Sequence, residues 1–224
     1  MPFALFGTAG AEDFNYLEMR MLDRRLTSPH RLAIFNGGHT LPPDDLALEA
    51  IEWLELQAMI SGTRTRDDGV IDGLLDKRRR GIDSAESVAA IHQIEALIAD
   101  FKGLRDVSPE QARVAALSRI GELRKAIARE PRDDAAERGM LDEVFEWEQG
   151  LRNPDLRMES FSRLRRRLEQ WGRAAAQPTP SLERDQARRL LSAVSAGVTT
   201  RANDSEYLML IERHWRGNRP RPGG

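Results

Sequence analysis

The chain has 224 residues, 40% of them hydrophobic, enough to bury one large core or two small ones. Lys+Arg number 34 against 36 Asp+Glu, and a net charge of -2 argues against bulk electrostatic attraction to nucleic acid or to an anionic membrane. With no cysteine, disulfides, thiolate catalysis and Cys-based zinc sites are excluded.

Pro2 to Phe6 reads as a strand ending at Gly7, and Arg31 to Phe35 as a second. A continuous apolar run bounded by glycine suits a strand buried on both faces, as in a parallel sheet. Between them, Leu17, Met21, Leu22 and Leu26 lie at helical spacing within Phe14 to Leu26, which predicts a βαβ unit. Asn36-Gly37-Gly38-His39 and Pro42-Pro43 follow. A helix is then expected from about Asp44 to Met59, with Leu46, Ile51, Leu54 and Met59 toward a core.

Beyond Gly62 only helical periodicity remains. Val88, Ile91, Ile94, Ile98 and Phe101 form one stripe, with Ser84 as its cap. Val114, Leu117, Ile120, Leu123 and Ile127 form the next, where Ser108-Pro109-Glu110-Gln111 supplies an N-cap, a proline at N1 and a capping-box glutamine. A third holds Leu141, Val144, Phe145 and Trp147, and a fourth Met158, Phe161, Leu164, Leu168 and Trp171. Leu190, Leu191, Val194 and Val198 suggest a fifth. Tyr207, Leu208, Leu210, Ile211 and Trp215 suggest a sixth, with Asn203 and Glu206 as cap and N3 partner. Amphipathic helices must bury one face against a neighbour, so a bundle or short solenoid is expected over residues 63–216, with a linker at 176–181. The Gly-, Pro- and Arg-rich tail, 217–224, is expected to be disordered. The fold class is therefore mainly α, with an N-terminal βαβα segment over residues 1–62.

No apolar run approaches the length of a membrane span. Met1 to Phe6 lacks the basic residues and length of a secretory signal, so the cytoplasm is the expected location, unless a longer parent carries its own signal.

The stretch richest in chemistry places an acid, Asp13, in the loop after the first strand. It places Gly37-Gly38-His39 in the loop after the second. This layout resembles the C-terminal part of an α/β-hydrolase of the dienelactone-hydrolase and carboxylesterase branch, over roughly the first quarter of the chain. The helical remainder resembles extensions that some bacterial members carry. The resemblance implies that Asp13 is the catalytic acid, ahead of its neighbour Glu12, and that His39 is the catalytic base. It also implies a Gly-x-Ser-x-Gly nucleophile elbow upstream of the acid. Only twelve residues precede Asp13, none a serine, and no such motif occurs later. The chain is accordingly expected to be inactive alone: a fragment from a late start codon, a degraded remnant, or one half of a two-chain enzyme. The full-length parent would be a serine hydrolase acting on an ester or acyl substrate. The alternative is a helical scaffold or protein-interaction module.

Other candidates carry less. His30, His92 and His214 show no metal-ligand spacing, so no metal is expected, and no cofactor motif occurs. Lys77-Arg78-Arg79-Arg80 and the arginines of 163–167 read as solvated helix faces paired with acids; a nucleic-acid contact through them is disfavoured by the balanced charge. Trp53, Trp147, Trp171 and Trp215 sit on helical stripes and are expected to pack in cores.

Overall fold

The computed structural model describes residues 3–82 and 84–216, so the tail expected at 217–224 lies outside the described residues. The chain is mainly α, with one small parallel sheet. In chain order the elements are β1 (Leu5–Gly10), α1 (Tyr16–Arg25), β2 (His30–Phe35), α2 (Asp44–Ile60), α3 (Asp68–Gly81), α4 (Val88–Phe101), α5 (Ser108–Leu117), α6 (Gly121–Gly150), α7 (Arg157–Ala175), α8 (Leu182–Ser195), α9 (Val198–Arg201) and α10 (Ser205–Arg216). Among the described residues no helix is long and apolar enough to cross a membrane.

β1 and β2 pair side by side, with α1 as the crossover. The first strand starts later than its apolar run predicts and continues through Gly7 to Gly10. Glycine ends a strand only where nothing must approach it closely. Here Ala9 and Gly10 are the buried end of the strand, where backbone from the β2 side comes near.

The chain gathers into two compact units whose segments alternate along the sequence. One takes the chain through Phe6, then Leu26–Arg31 and Asp44–Asp133; the other takes Gly7–Arg25, Leu32–Pro43 and the chain from Asp134 onward. In the first unit, Leu56 and Met59 of α2, Ile71 and Leu75 of α3, and Leu97 and Phe101 of α4 form one buried cluster. Ile91, Ile94 and Leu117 form a second. The buried face of α2 is Trp53, Leu56 and Met59, whereas Ile51 and Leu54 are exposed, contrary to the sequence expectation. Apolar residues lie on more than one side of this helix, and the large indole sets which side is buried.

α3 carries no stripe in the sequence reading, because Gly69 and Gly73 dilute its helical signal. Asp67 caps it by accepting from the Val70 N–H at 3.0 Å. The cap of α4 is Ser87, not Ser84: its Oγ accepts from Ala90 N. Ser108 does not cap α5: it is the helix's first residue, one position past the cap at Val107, and its N–H and hydroxyl both donate to Asp106 Oδ1, at 2.9 and 2.6 Å. The stripe from Val114 to Ile127 is broken at Ser118–Ile120 by tight turns, although Ile120, Leu123 and Ile127 still pack against the cluster of Ile91, Ile94 and Leu117. α6 then runs 30 residues and continues through Pro131, whose ring leaves the carbonyl four residues earlier without its helical hydrogen bond.

The second unit's core joins Val144, Leu164, Leu168, Trp171, Leu190, Leu191, Val194, Tyr207 and Ile211 from α6, α7, α8 and α10. Residues 176–181, expected as a linker, form a short connection between α7 and α8, both of which feed this one core. The cap at the start of α10 is Asp204, whose Oδ1 accepts from Glu206 N and Tyr207 N, not Asn203.

Candidate functional site

The loop after β1 and the loop after β2 are stitched together by backbone hydrogen bonds. Ala11 N–H donates to Phe35 O at 2.7 Å and Glu12 N–H to Gly37 O at 2.8 Å. Such proximity requires Gly10. A Cβ there would stand 2.3 Å from the Gly37 carbonyl oxygen and 2.4 Å from that of Gly38. Gly37 itself has φ +146°, open to glycine and strained for side chains.

On this framework Asp13 and His39 meet. His39 Nδ1 lies 3.2 Å from both Asp13 Oδ1 and Oδ2. Asp13 is anchored from its other side: Oδ1 accepts the Asn15 N–H at 3.0 Å in an Asx turn that leads into α1. The Phe14 ring packs on the imidazole, centroids 4.5 Å apart and planes 37° apart. The carboxylate is buried, with a side-chain exposure of 9%, while the imidazole is 61% exposed. A carboxylate only accepts, so the nitrogen facing it carries the proton, and Nε2 presents its lone pair outward. Among the described residues no hydroxyl bonds to that nitrogen.

No protein family, curated protein or solved structure matches this chain.

The remaining sequence candidates have ordinary settings. His30 Nδ1 contacts Ser28 O at 2.7 Å, and His92 lies 3.6 Å from Glu130. Burial holds the His214 pKa below the usual histidine value. Among the described residues no group of three or more His, Asp or Glu is placed to hold a metal ion. The basic clusters are largely ion-paired: Lys77 with Glu52, Arg78 with Glu49, Arg79 with Glu110, Arg163 with Glu159 and Arg167 with Glu143. Burial, together with the neighbouring Arg31 charge, lowers the Arg78 pKa to about 10. Trp53 and Trp171 are buried, Trp53 donating to Asp100 Oδ1 at 2.7 Å. Trp147 is flanked by the Arg163 and Arg167 guanidiniums.

Buried charges went unseen in the sequence. Burial raises the Asp100 pKa, against the opposing pull of Arg31, which donates to it at 2.6 Å. Glu137 and Glu148 are buried on α6, at helical spacing with Leu141 and Val144. Two acids inside an apolar stripe were the available signal, since such a position demands a paired cation.

Proposed function

We propose that Asp13 and His39 are the acid and base of an ester- or acyl-hydrolysing site of the Ser-His-Asp type. The serine would come from polypeptide outside these 224 residues. The observation that carries this reading is the contact of His39 Nδ1 with both Asp13 oxygens, with the other ring edge exposed. A general base needs one nitrogen fixed by an acid and the other within reach of a nucleophile's proton. Asp13 fixes the tautomer and would stabilise the imidazolium formed when His39 takes the serine proton. His39 would then return that proton to the leaving group. The parallel strands fit this role, since their C-terminal ends deliver loop residues to one edge.

The test is reconstitution. The coding sequence upstream of Met1, or a partner carrying Gly-x-Ser-x-Gly, is co-expressed with this chain and assayed on 4-nitrophenyl esters. Turnover that disappears in His39→Ala and falls roughly 10⁴-fold in Asp13→Asn is expected, as for a triad deprived of its orienting acid. Turnover indifferent to both substitutions would sink the reading. A scaffold role predicts that indifference.

A further inference from the structure

The loop that carries Asp13 is gripped by two consecutive arginines of α8. Arg189 Nη1 donates to the Ala11 carbonyl at 2.6 Å, and its guanidinium lies 4.1 Å from the centroid of the Tyr16 ring. Ala11 and Tyr16 bracket Asp13. The same guanidinium is fixed from α6 by Glu137, through Nε to Oε1 at 2.9 Å and Nη2 to Oε2 at 2.8 Å. Arg188 Nη1 donates to Glu12 Oε1 at 2.7 Å, and its Nε donates to Ala175 O at 3.0 Å.

We propose that Arg188 and Arg189 are positioning residues that set Asp13 against His39, a proposal that rests on reading that pair as acid and base. Bonds within the loop fix its shape: Asp13 N to Gly10 O, and Tyr16 N to Asp13 O. The bonds of Ala11 and Glu12 to Phe35 and Gly37 tie the start of the loop to the β2 side, but among the described residues no backbone hydrogen bond joins Asp13 or the residues after it to the residues around His39. The two arginines tie the loop to α8 on both sides of the acid. Contacts of 3.2 Å stand at the outer edge of hydrogen-bond reach, so a loop displacement of about 0.5 Å would break them. A planar guanidinium locked by a bidentate carboxylate loses little further freedom when it makes one more bond, which suits it to this task.

Arg188 has a second effect. Glu12 is the adjacent carboxylate and, by sequence, the obvious rival to Asp13. It is buried, with its charge paired to Arg188 and Arg184 standing 3.7 Å away, and it makes no bond to His39. The arginine thereby selects which of two neighbouring acids orients the ring.

The test reads the imidazole directly. Two-bond ¹H–¹⁵N spectra of the full chain, taken where His39 is neutral, report which nitrogen carries the proton. The Nδ1–H form is expected in the wild type, and the Nε2–H form normal for a free side chain is expected in Asp13→Asn. Arg189→Lys, which leaves a cation beside Glu137, and the double variant Arg189→Ala/Glu137→Ala, which strands no charge, are each expected to move His39 at least half-way to the Asp13→Asn position. Far-UV circular dichroism should remain unchanged. An arginine with a purely structural role would lower the melting temperature and leave the tautomer alone. If Asp13→Asn shifts the tautomer and neither folded arginine variant does, the positioning role is overturned while the acid-base reading stands. If Asp13→Asn itself shifts nothing, the acid-base reading falls.

Discussion

Glu148 and Asp13 are both buried carboxylates of the second unit, yet their surroundings differ in kind. Glu148 is fully buried: Oε1 accepts the Tyr207 hydroxyl at 2.8 Å and Oε2 accepts Arg201 Nε at 2.6 Å. Arg201 spends further donors on the Ala196 and Val194 carbonyls and covers the Phe145 ring. Burial and the Glu148 charge push the Tyr207 hydroxyl well above its usual pKa. Both oxygens of that carboxylate are paired inside the protein. Asp13 instead holds a histidine whose ring stands 61% exposed with one nitrogen facing out. The difference teaches that a saturated polar cluster is scaffold, whereas a polar pair with one open valence is equipped to act on something else.

Substitutions can break or sharpen this contrast. The largest stability loss is expected for Glu148→Ala, which leaves the buried Tyr207 hydroxyl and the half-buried Arg201 guanidinium without this acceptor. It should cost ~3–5 kcal/mol in urea unfolding, and a cost below ~1 kcal/mol would remove Glu148 from the scaffold. Gly10→Ala comes next, because its methyl would collide with two backbone carbonyls that cannot swing aside. Unfolding should be easier by ~1–3 kcal/mol, and the His39 tautomer should be lost as the loops part. Asp13→Asn is expected to cost only ~0–1 kcal/mol while abolishing the tautomer preference, a dissociation of stability from chemistry that Glu148 cannot show.

The smallest effect concerns His214. Burial lowers its folded pKa, with Arg213 and Arg173 pushing the same way and Glu169 opposing. A histidine depressed in the folded state gives stability that is fully present above the unfolded value of ~6.5 and is lost as pH falls through the folded one. His214→Gln should flatten the acid limb of a pH–stability curve just below that value. An unchanged limb would assign the acid sensitivity elsewhere.

Much of the architecture was legible because hydrophobic spacing is local. β2, α1 and α2 fall within a few residues of their expected bounds, and the stripes of α7, α8 and α10 feed one core, except that Met158 at the start of α7 is 74% exposed and Val198 falls on α9. The errors have physical causes. β1 was displaced because Gly7, read as its end, lies inside the strand, while Gly10 at its end serves a close approach. α6 was divided between two stripes because residues 128–139 carry no large apolar side chain to continue the spacing. The two loops were legible from strand and glycine signals, the choice of Asp13 and His39 within them came from the resemblance to an α/β-hydrolase, and the structure brings the two side chains into contact. Arg188, Arg189 and Glu137 were not, because their roles depend on contacts spanning up to 178 positions of sequence.

Gly10 sets the terms on which this arrangement can persist through evolution. Loop histidines are common and acids beside them commoner, so either may drift into place by chance. A position where even a methyl group would strike two carbonyl oxygens tolerates no drift. A distant relative that keeps the pairing must therefore keep a bare backbone there. Gly10, three residues before the acid and far less conspicuous than the histidine, is the stricter signature by which such a relative could be told from a coincidence.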